Sequence, residues 1–517
     1  MTLDALQLDV PDAPQTDLID QATLGGSLTA ARQLSADAGL QEVIALLARL
    51  NRSAMTLLER QRALQNFSDE YRHYSMQAGL AAGAEQRLQL CAELAMGYKR
   101  LLLQILQGHK PSQPHLAWCL YMAEHFIAQT LLQHCQQYRE PDTSLWRDSH
   151  LLYWLGEQHG CLDEPVAAAF IPTPADTLRG LYQQTLLLAL SNPPHLHPDE
   201  CQRLFAALAP LAALARLLPW DAEDKSEGPL IDLHGRQAYL THQQRPPTGS
   251  DHLRRLELGA LLVALGEPAP LRSAGERELL ERVHHHWLGT DQRRHSRTPQ
   301  QSDCRLAIGI PAIHAQLLEQ RPHCTPGQIL DIGPGGARLL CSAQAADSLP
   351  IGQLVLLIAD SDVLALVCWR HLNGEGLHLG LRYLKGLAQP TWLRRTPSSQ
   401  PHLGILQSTP KPREGWHHGL WVPHNQFSDG ENLWLQLPNA VNQNRLQLPA
   451  CNLASATVSR HPLELRRERR LPRRPRDHDV ARFHRLAQYF QHVPAELREL
   501  VQEQHAIVRQ RDLARAR

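Results

Sequence analysis

The sequence predicts a multidomain α+β protein: an all-α N-terminal helical domain, then a small β-barrel, a further β segment and a C-terminal helical tail. Three observations carry that prediction. From about residue 26 to 288, apolar residues recur at steps of three and four, the period of one helix face. Between Leu354 and Leu381 the pattern changes to short apolar runs closed by glycine turns, which marks strands. Beyond Arg476 the three-and-four period returns.

Residues 1–25 read as a flexible tail, and Met1 to Ala22 lacks the basic-then-apolar pattern of a signal peptide. In the helical domain, 26–288, Leu90, Leu94, Tyr98, Leu101 and Ile105 share one face. Leu116, Leu120, Ala123, Ile127 and Leu131 share another. Leu178 to Leu190 forms a further helix, stopped by Asn192-Pro193-Pro194. Pro198-Asp199-Glu200 opens the next, with its carboxylates beside the free N–H groups of the first turn. Short breaks between helices predict antiparallel hairpins, and no repeat of fixed period accompanies them. The apolar segment Leu204 to Trp220 contains Pro210 and Arg216 and reads as a buried helix rather than a membrane span. Residues 221–250, rich in charge, Gly and Pro, read as a loop or linker. Residues 251–266 and 274–288 read as two more helices.

The barrel is assigned to 289–390. Leu354 to Ile358 and Val363 to Arg370 read as strands, and Asn373 to Gly376 as the turn into Leu377–Leu381. Residues 391–465 keep a β texture at Leu420–Val422, Leu433–Leu435 and Leu446–Leu448, with a turn signal at Asp429-Gly430. They are either a second small β segment or an extension of the barrel. In 466–517, the basic run Arg466 to Arg476, broken by Pro472 and Pro475, reads as a linker. Val480, Phe483, Leu486 and Phe490 then share one helix face, and Leu497, Leu500 and Val501 follow Pro494.

Composition narrows the function. A chain of 517 residues has ample material for several cores. Lys+Arg and Asp+Glu both number 52, so no overall field favours nucleic acid or a membrane surface. The basic run carries Glu468 and no interleaved aromatic residue, so nucleic acid is not an expected partner. Ten cysteines without a Cys-x-x-Cys pair fit reduced thiols, and the expected location is cytoplasmic. His284, His285 and His286 diverge by about 100° per residue on a helix, so they cannot converge on one metal ion. No nucleophile elbow, metalloprotease helix or kinase loop is present, so no catalytic residue and no enzyme activity is expected.

What remains is a binding pattern. Arg293-Arg294-His295-Ser296-Arg297 precedes the barrel, and Asp331-Ile332-Gly333-Pro334-Gly335-Gly336 follows. Guanidinium groups fork onto phosphate oxygens and lie flat on bases. A carboxylate takes the N–H donors of a purine edge, and glycines let backbone approach closely. The combination suits an anionic nucleotide.

These residues, with the strand order behind them, resemble the PilZ domain, a small β-barrel family whose members commonly bind the bacterial second messenger cyclic di-GMP. The family pattern is Arg-x-x-x-Arg ahead of the barrel, then Asp/Asn-x-Ser-x-x-Gly. Arg293 and Arg297 match its first half, and Asp331 and Gly336 its second; the serine position is Gly333. The resemblance implies a PilZ-like barrel that binds cyclic di-GMP through Arg293, Arg294, Arg297, Asp331, Gly333 and Gly336, without a cofactor. Losing the serine hydroxyl removes about 1 kcal/mol, against about 1.5–3 kcal/mol for each charge-assisted arginine bond. The expected function is therefore a cyclic di-GMP receptor that couples ligand binding to altered domain contacts, with an unidentified protein partner reached through the helical domain. The output would lie in motility, attachment or exopolysaccharide control. The alternative is a degenerate PilZ adaptor that acts through protein contacts without nucleotide.

Overall fold

A computed structural model of the chain describes Leu8, Val10 and residues 21–76, 83–108, 112–167, 176–221, 228–240, 251–267, 273–288, 296–411, 415–423, 426–427, 432–438 and 444–447. Two units divide it, Met1–Gln292 and Arg293–Arg517.

In the first unit the helical period resolves into α1 (Gln21–Ala31), α2 (Ala36–Asn51), α3 (Leu57–Met76), α4 (Ala84–Gln107), α5 (Gln113–Gln137), α6 (Thr143–Gln158), α7 (Leu178–Leu190) and α8 (Pro198–Leu208). Side-chain caps fix two of the starts: Asp142 accepts from the Ser144 N–H, and Thr177 from that of Gly180. Between Leu116 and Gln133, α5 is buried almost all round, as a central helix must be, and it packs against α4, α6, α7 and α8. Polar groups go inside with it. Lys99, Glu124, Asp148, Ser149 and His150 are all buried. Each has a partner: Lys99 Nζ donates to Asp148 Oδ2 (2.7 Å), and Ser149 Oγ to Glu124 Oε1 (2.8 Å). His150 Nε2 lies 2.9 Å from the Gln237 carbonyl oxygen, and its Nδ1 2.6 Å from the Tyr182 hydroxyl.

Three stretches depart from the sequence reading. Helix α1 starts at Gln21, inside the supposed tail, because Leu24 and Leu28 are core residues. Leu204 to Trp220 is not one helix: α8 ends at Leu208, a 3-10 turn spans Ala209–Leu214 around Pro210, and β1 (Arg216–Pro219) follows. The supposed linker contains β2 (Leu230–Asp232), and the supposed helix at 251–266 begins as β3 (Leu253–Glu257). These strands form an antiparallel sheet in the order β1-β3-β2. Arg254 is buried in it, paired with Glu157 and donating to the carbonyl oxygens of Asp251 and Leu253. Helices α9 (Gly259–Gly266) and α10 (Ala274–Trp287) complete the unit. Among the described residues no helix is long and apolar enough to cross a membrane.

The second unit opens with β4 (Thr298–Ile308) and α11 (Gly309–Leu317). It continues through β5 (Thr325–Gly333), β6 (Gly336–Cys341), β7 (Leu354–Ile358), β8 (Asp362–Asn373) and β9 (Gly376–Tyr383). All pairs are antiparallel, in the order β4-β5-β6-β9-β8-β7, and β7 pairs back onto β4 to close a six-stranded barrel. Leu306, Ile329, Leu339, Val355, Val367 and Leu379 fill its interior. A five-stranded sheet follows, made of β10 (Leu387–Arg394), β11 (His402–Lys411), β12 (Gly415–Trp421), β13 (Asn432–Gln436) and β14 (Asn444–Gln447), in the order β12-β11-β10-β13-β14.

The apolar run of β7 follows from this packing. Val355 and Leu357 face the barrel interior, while Leu354, Leu356 and Ile358 join Ile313, Ile405 and Trp421 in a second core. A strand buried on both faces needs no alternation. The β segment after the barrel is thus a separate sheet that shares this core, and its first strand begins at Leu387. Asp429-Gly430, the basic run and the periodic residues of 480–501 lie outside the described residues.

Candidate functional site

The barrel's outer face is built by parity, and three bulges reset it. On β6, Ala337, Leu339 and Cys341 are core residues, so Arg338 and Leu340 point outward. On β5 the register shifts between Ile329 and Asp331, and this extra residue turns the Asp331 carboxylate outward. On β8 a shift between Val367 and Trp369 does the same for the indole. A third shift, between Pro299 and Ser302, lies on β4 just after Arg297. Cross-strand partners then run Asp331–Arg338–Gly380–Trp369 over four neighbouring strands.

Of the residues expected to bind, Arg293 and Arg294 lie outside the described residues. Arg297 is described, and its Nη1 donates to Asp331 Oδ1 at 2.8 Å. Both side chains are about four-fifths covered, with exposures of 20% and 23%. Gly333 and Gly336 pair with each other across the Pro334-Gly335 turn. Neither site has room for a side chain. A β-carbon on Gly336 would land on the Leu381 carbonyl oxygen, and one on Gly333 would stand 2.8 Å from that of Ser296. Gly333, one of the residues expected to bind, lies directly beneath the backbone that carries Arg297.

The same face holds residues that the motif does not name. Arg338 Nη2 donates to His378 Nδ1 at 3.2 Å, and His378 Nε2 faces Glu375 at 3.2 Å. Burial, and then the Arg338 charge, hold the His378 imidazole below its usual range, so it stays neutral and accepts that bond. Arg382 is exposed, in register with Gly336. The Trp369 indole covers Gly380, where a β-carbon would stand only 1.8 Å from its Nε1. Tyr383 donates its N–H to the Gly335 carbonyl (3.0 Å), tying the turn to β9. Burial pushes its phenol up while Arg297 opposes the shift; the Cys368 thiol is likewise raised by burial and opposed by Arg382, then Arg297.

Arg338, Arg382 and Trp369 were missed by sequence reasoning. The alternation of Ala337, Leu339 and Cys341 would have found Arg338, and that of Leu377, Leu379 and Leu381 would have found Arg382. Among the described residues no group of three or more His, Cys, Asp or Glu could hold a metal ion.

The second unit thus carries, on one face of its closed barrel, three guanidinium groups, one carboxylate and one indole, with Gly333, Gly336 and Gly380 each packed under neighbouring atoms. This geometry fits an anionic ligand with a flat ring. Residues 26–223, wholly within the helical unit, match the family model described as cyclic-di-GMP receptor FimW, N-terminal domain. That match stops short of the residues that carry the PilZ resemblance. No curated protein and no solved structure matches the chain.

Proposed function

We propose that the protein is a cyclic di-GMP receptor whose ligand binds on the outer face of the barrel, around Arg297 and Asp331. Two independent lines support this reading. The helical unit matches the N-terminal domain of a family named for cyclic di-GMP reception. The barrel, with no part in that match, brings Arg297 and Asp331 to 2.8 Å beside the Gly333–Gly336 turn, and that is the observation that carries the reading. On this reading the barrel is PilZ-like. Arg297, with Arg293 and Arg294 just ahead of it in sequence, takes the two phosphates. Asp331 takes the N–H edge of a guanine, while Gly333 and Gly336 let Ser296–Arg297 and β9 close up against the turn that holds it. Arg338 and Arg382 add positive charge to the same face.

The reading is of binding without catalysis, in the cytoplasm. The lead-in follows α10 by only a few residues, so exchanging its contacts for those of a ligand would bias the contacts the helical unit makes with a protein partner. Calorimetric titration of the full chain with cyclic di-GMP tests the receptor. Saturable binding that weakens about 10- to 100-fold in Arg297→Ala, the loss of one or more charge-assisted bonds, is the expected result. An absence of heat at high micromolar ligand would leave the adaptor reading in its place.

A further inference from the structure

The position that the PilZ pattern gives to serine has a different use in this chain. Gly333 carries no side chain, and the lead-in backbone fills the space a side chain would need. A β-carbon at Gly333 would stand 2.8 Å from the Ser296 carbonyl oxygen and 3.2 Å from Arg297 Cγ. The first of these is a backbone atom, which cannot swing aside as a side-chain tip can. With Ser296 and Arg297 seated there, Arg297 reaches Asp331 and neutralises it at 2.8 Å. The two groups best suited to a nucleotide therefore already satisfy one another.

We propose that Gly333 is the affinity-setting residue of this site: it lets Ser296–Arg297 seat on the barrel, so a ligand must exchange the Arg297–Asp331 ion pair rather than meet two free groups. The identity of the ligand rests on the receptor reading above; the seating of the lead-in does not. Adding a β-carbon at 333 lifts the lead-in and separates the pair. The ligand then meets an unpaired carboxylate and an unpaired guanidinium. A partly covered ion pair is worth up to about 1 kcal/mol, so Gly333→Ala is expected to bind about two- to fivefold tighter. Gly333→Ser adds a hydroxyl, and one more hydrogen bond gains roughly another fivefold.

The test uses the full chain and two readouts: amide hydrogen exchange across residues 296–300 without ligand, and calorimetric titration with cyclic di-GMP. Faster exchange in both variants, together with tighter binding, is the expected result. Unchanged exchange in both variants overturns the proposal. So does faster exchange with weaker binding, since the seated lead-in would then be a prearranged wall of the site. If exchange rises but neither wild type nor variants bind cyclic di-GMP, the seating stands and the receptor reading fails. Should both variants fail to fold, the wild type decides: segment 296–300 must be protected before ligand is added, and exchange at the rate of an unstructured peptide sinks the idea.

Discussion

Lys99 and Asp148 meet at 2.7 Å in the interior of the helical unit, with side-chain exposures of 5% and 0%. The pair joins α4 to α6, and Arg147 adds a weaker contact to the same carboxylate at 3.6 Å. Two charges so far from water are held by each other. Removing one strips the other of its shortest charged contact while leaving it buried.

Lys99→Ala is therefore expected to destabilise the helical unit by about 3–5 kcal/mol. The double variant Lys99→Met, Asp148→Leu, which removes both charges and keeps most of the volume, should recover most of that loss. Denaturant unfolding of the three proteins measures it. If the single variant costs as little as a surface pair, the burial of this ion pair is wrong.

Glu124 gives the same core a dependence on pH. Burial pushes its carboxyl from 4.5 up to about 8; the bond from Ser149 opposes the shift and the Asp148 charge adds to it. Between those two values the unfolded chain is ionised at this position while the folded chain keeps its proton. Its contribution is fully present below 4.5 and is lost as pH rises through 8, at up to about 1.4 kcal/mol per unit. Glu124→Gln should flatten the fall in stability of the wild type between pH 6.5 and 8. Urea unfolding across that interval checks it.

His150 acts in the opposite sense. Burial lowers its imidazole from 6.5 to about 4, against the Gln237 carbonyl and the Asp232 charge. His125, lowered by burial to about 3, has the same sign. Their contribution is fully present above 6.5 and is lost as pH falls through 4 for His150 and through 3 for His125, where the folded imidazoles must at last take protons. His150→Asn should cost about 1–3 kcal/mol at pH 7 through the partners it leaves, and lose less than the wild type on acidification. Thermal unfolding at pH 7 and pH 4.5 separates the two effects.

Gly336→Ala tests the barrel alone. The added carbon meets the Leu381 carbonyl oxygen, a backbone atom on the neighbouring strand, so β6 and β9 must part locally. Overpacking of this kind costs about 1–3 kcal/mol, visible as a lowered Tm. A Tm equal to that of the wild type would contradict the strand register.

Much of the architecture was legible. Leu354 to Ile358 was read as the strand it is, and the Asn373–Gly376 turn was placed where β8 meets β9. The three-and-four period located α4, α5 and α7. It failed at β3, where Leu253-Arg254-Arg255-Leu256 looks like a solvated helix face. The Glu157 carboxylate, almost a hundred residues earlier, joins the carbonyl oxygens of Asp251 and Leu253 in offsetting the burial of Arg254. At the site, Arg297 and Asp331 were marked by their spacing. The face they share with Arg338 and Trp369 depends on extra residues at Leu330 and Cys368, and nothing in either residue type announces a bulge.

The second core under β7 has a practical side. A fragment ending at Tyr383 would hold every strand of the barrel and still lay bare Leu354, Leu356 and Ile358, with Ile405 and Trp421 cut away. Such a piece invites inclusion bodies whatever its ligand. Anyone dissecting this protein should place the scissors ahead of the lead-in and leave the barrel and its neighbouring sheet together.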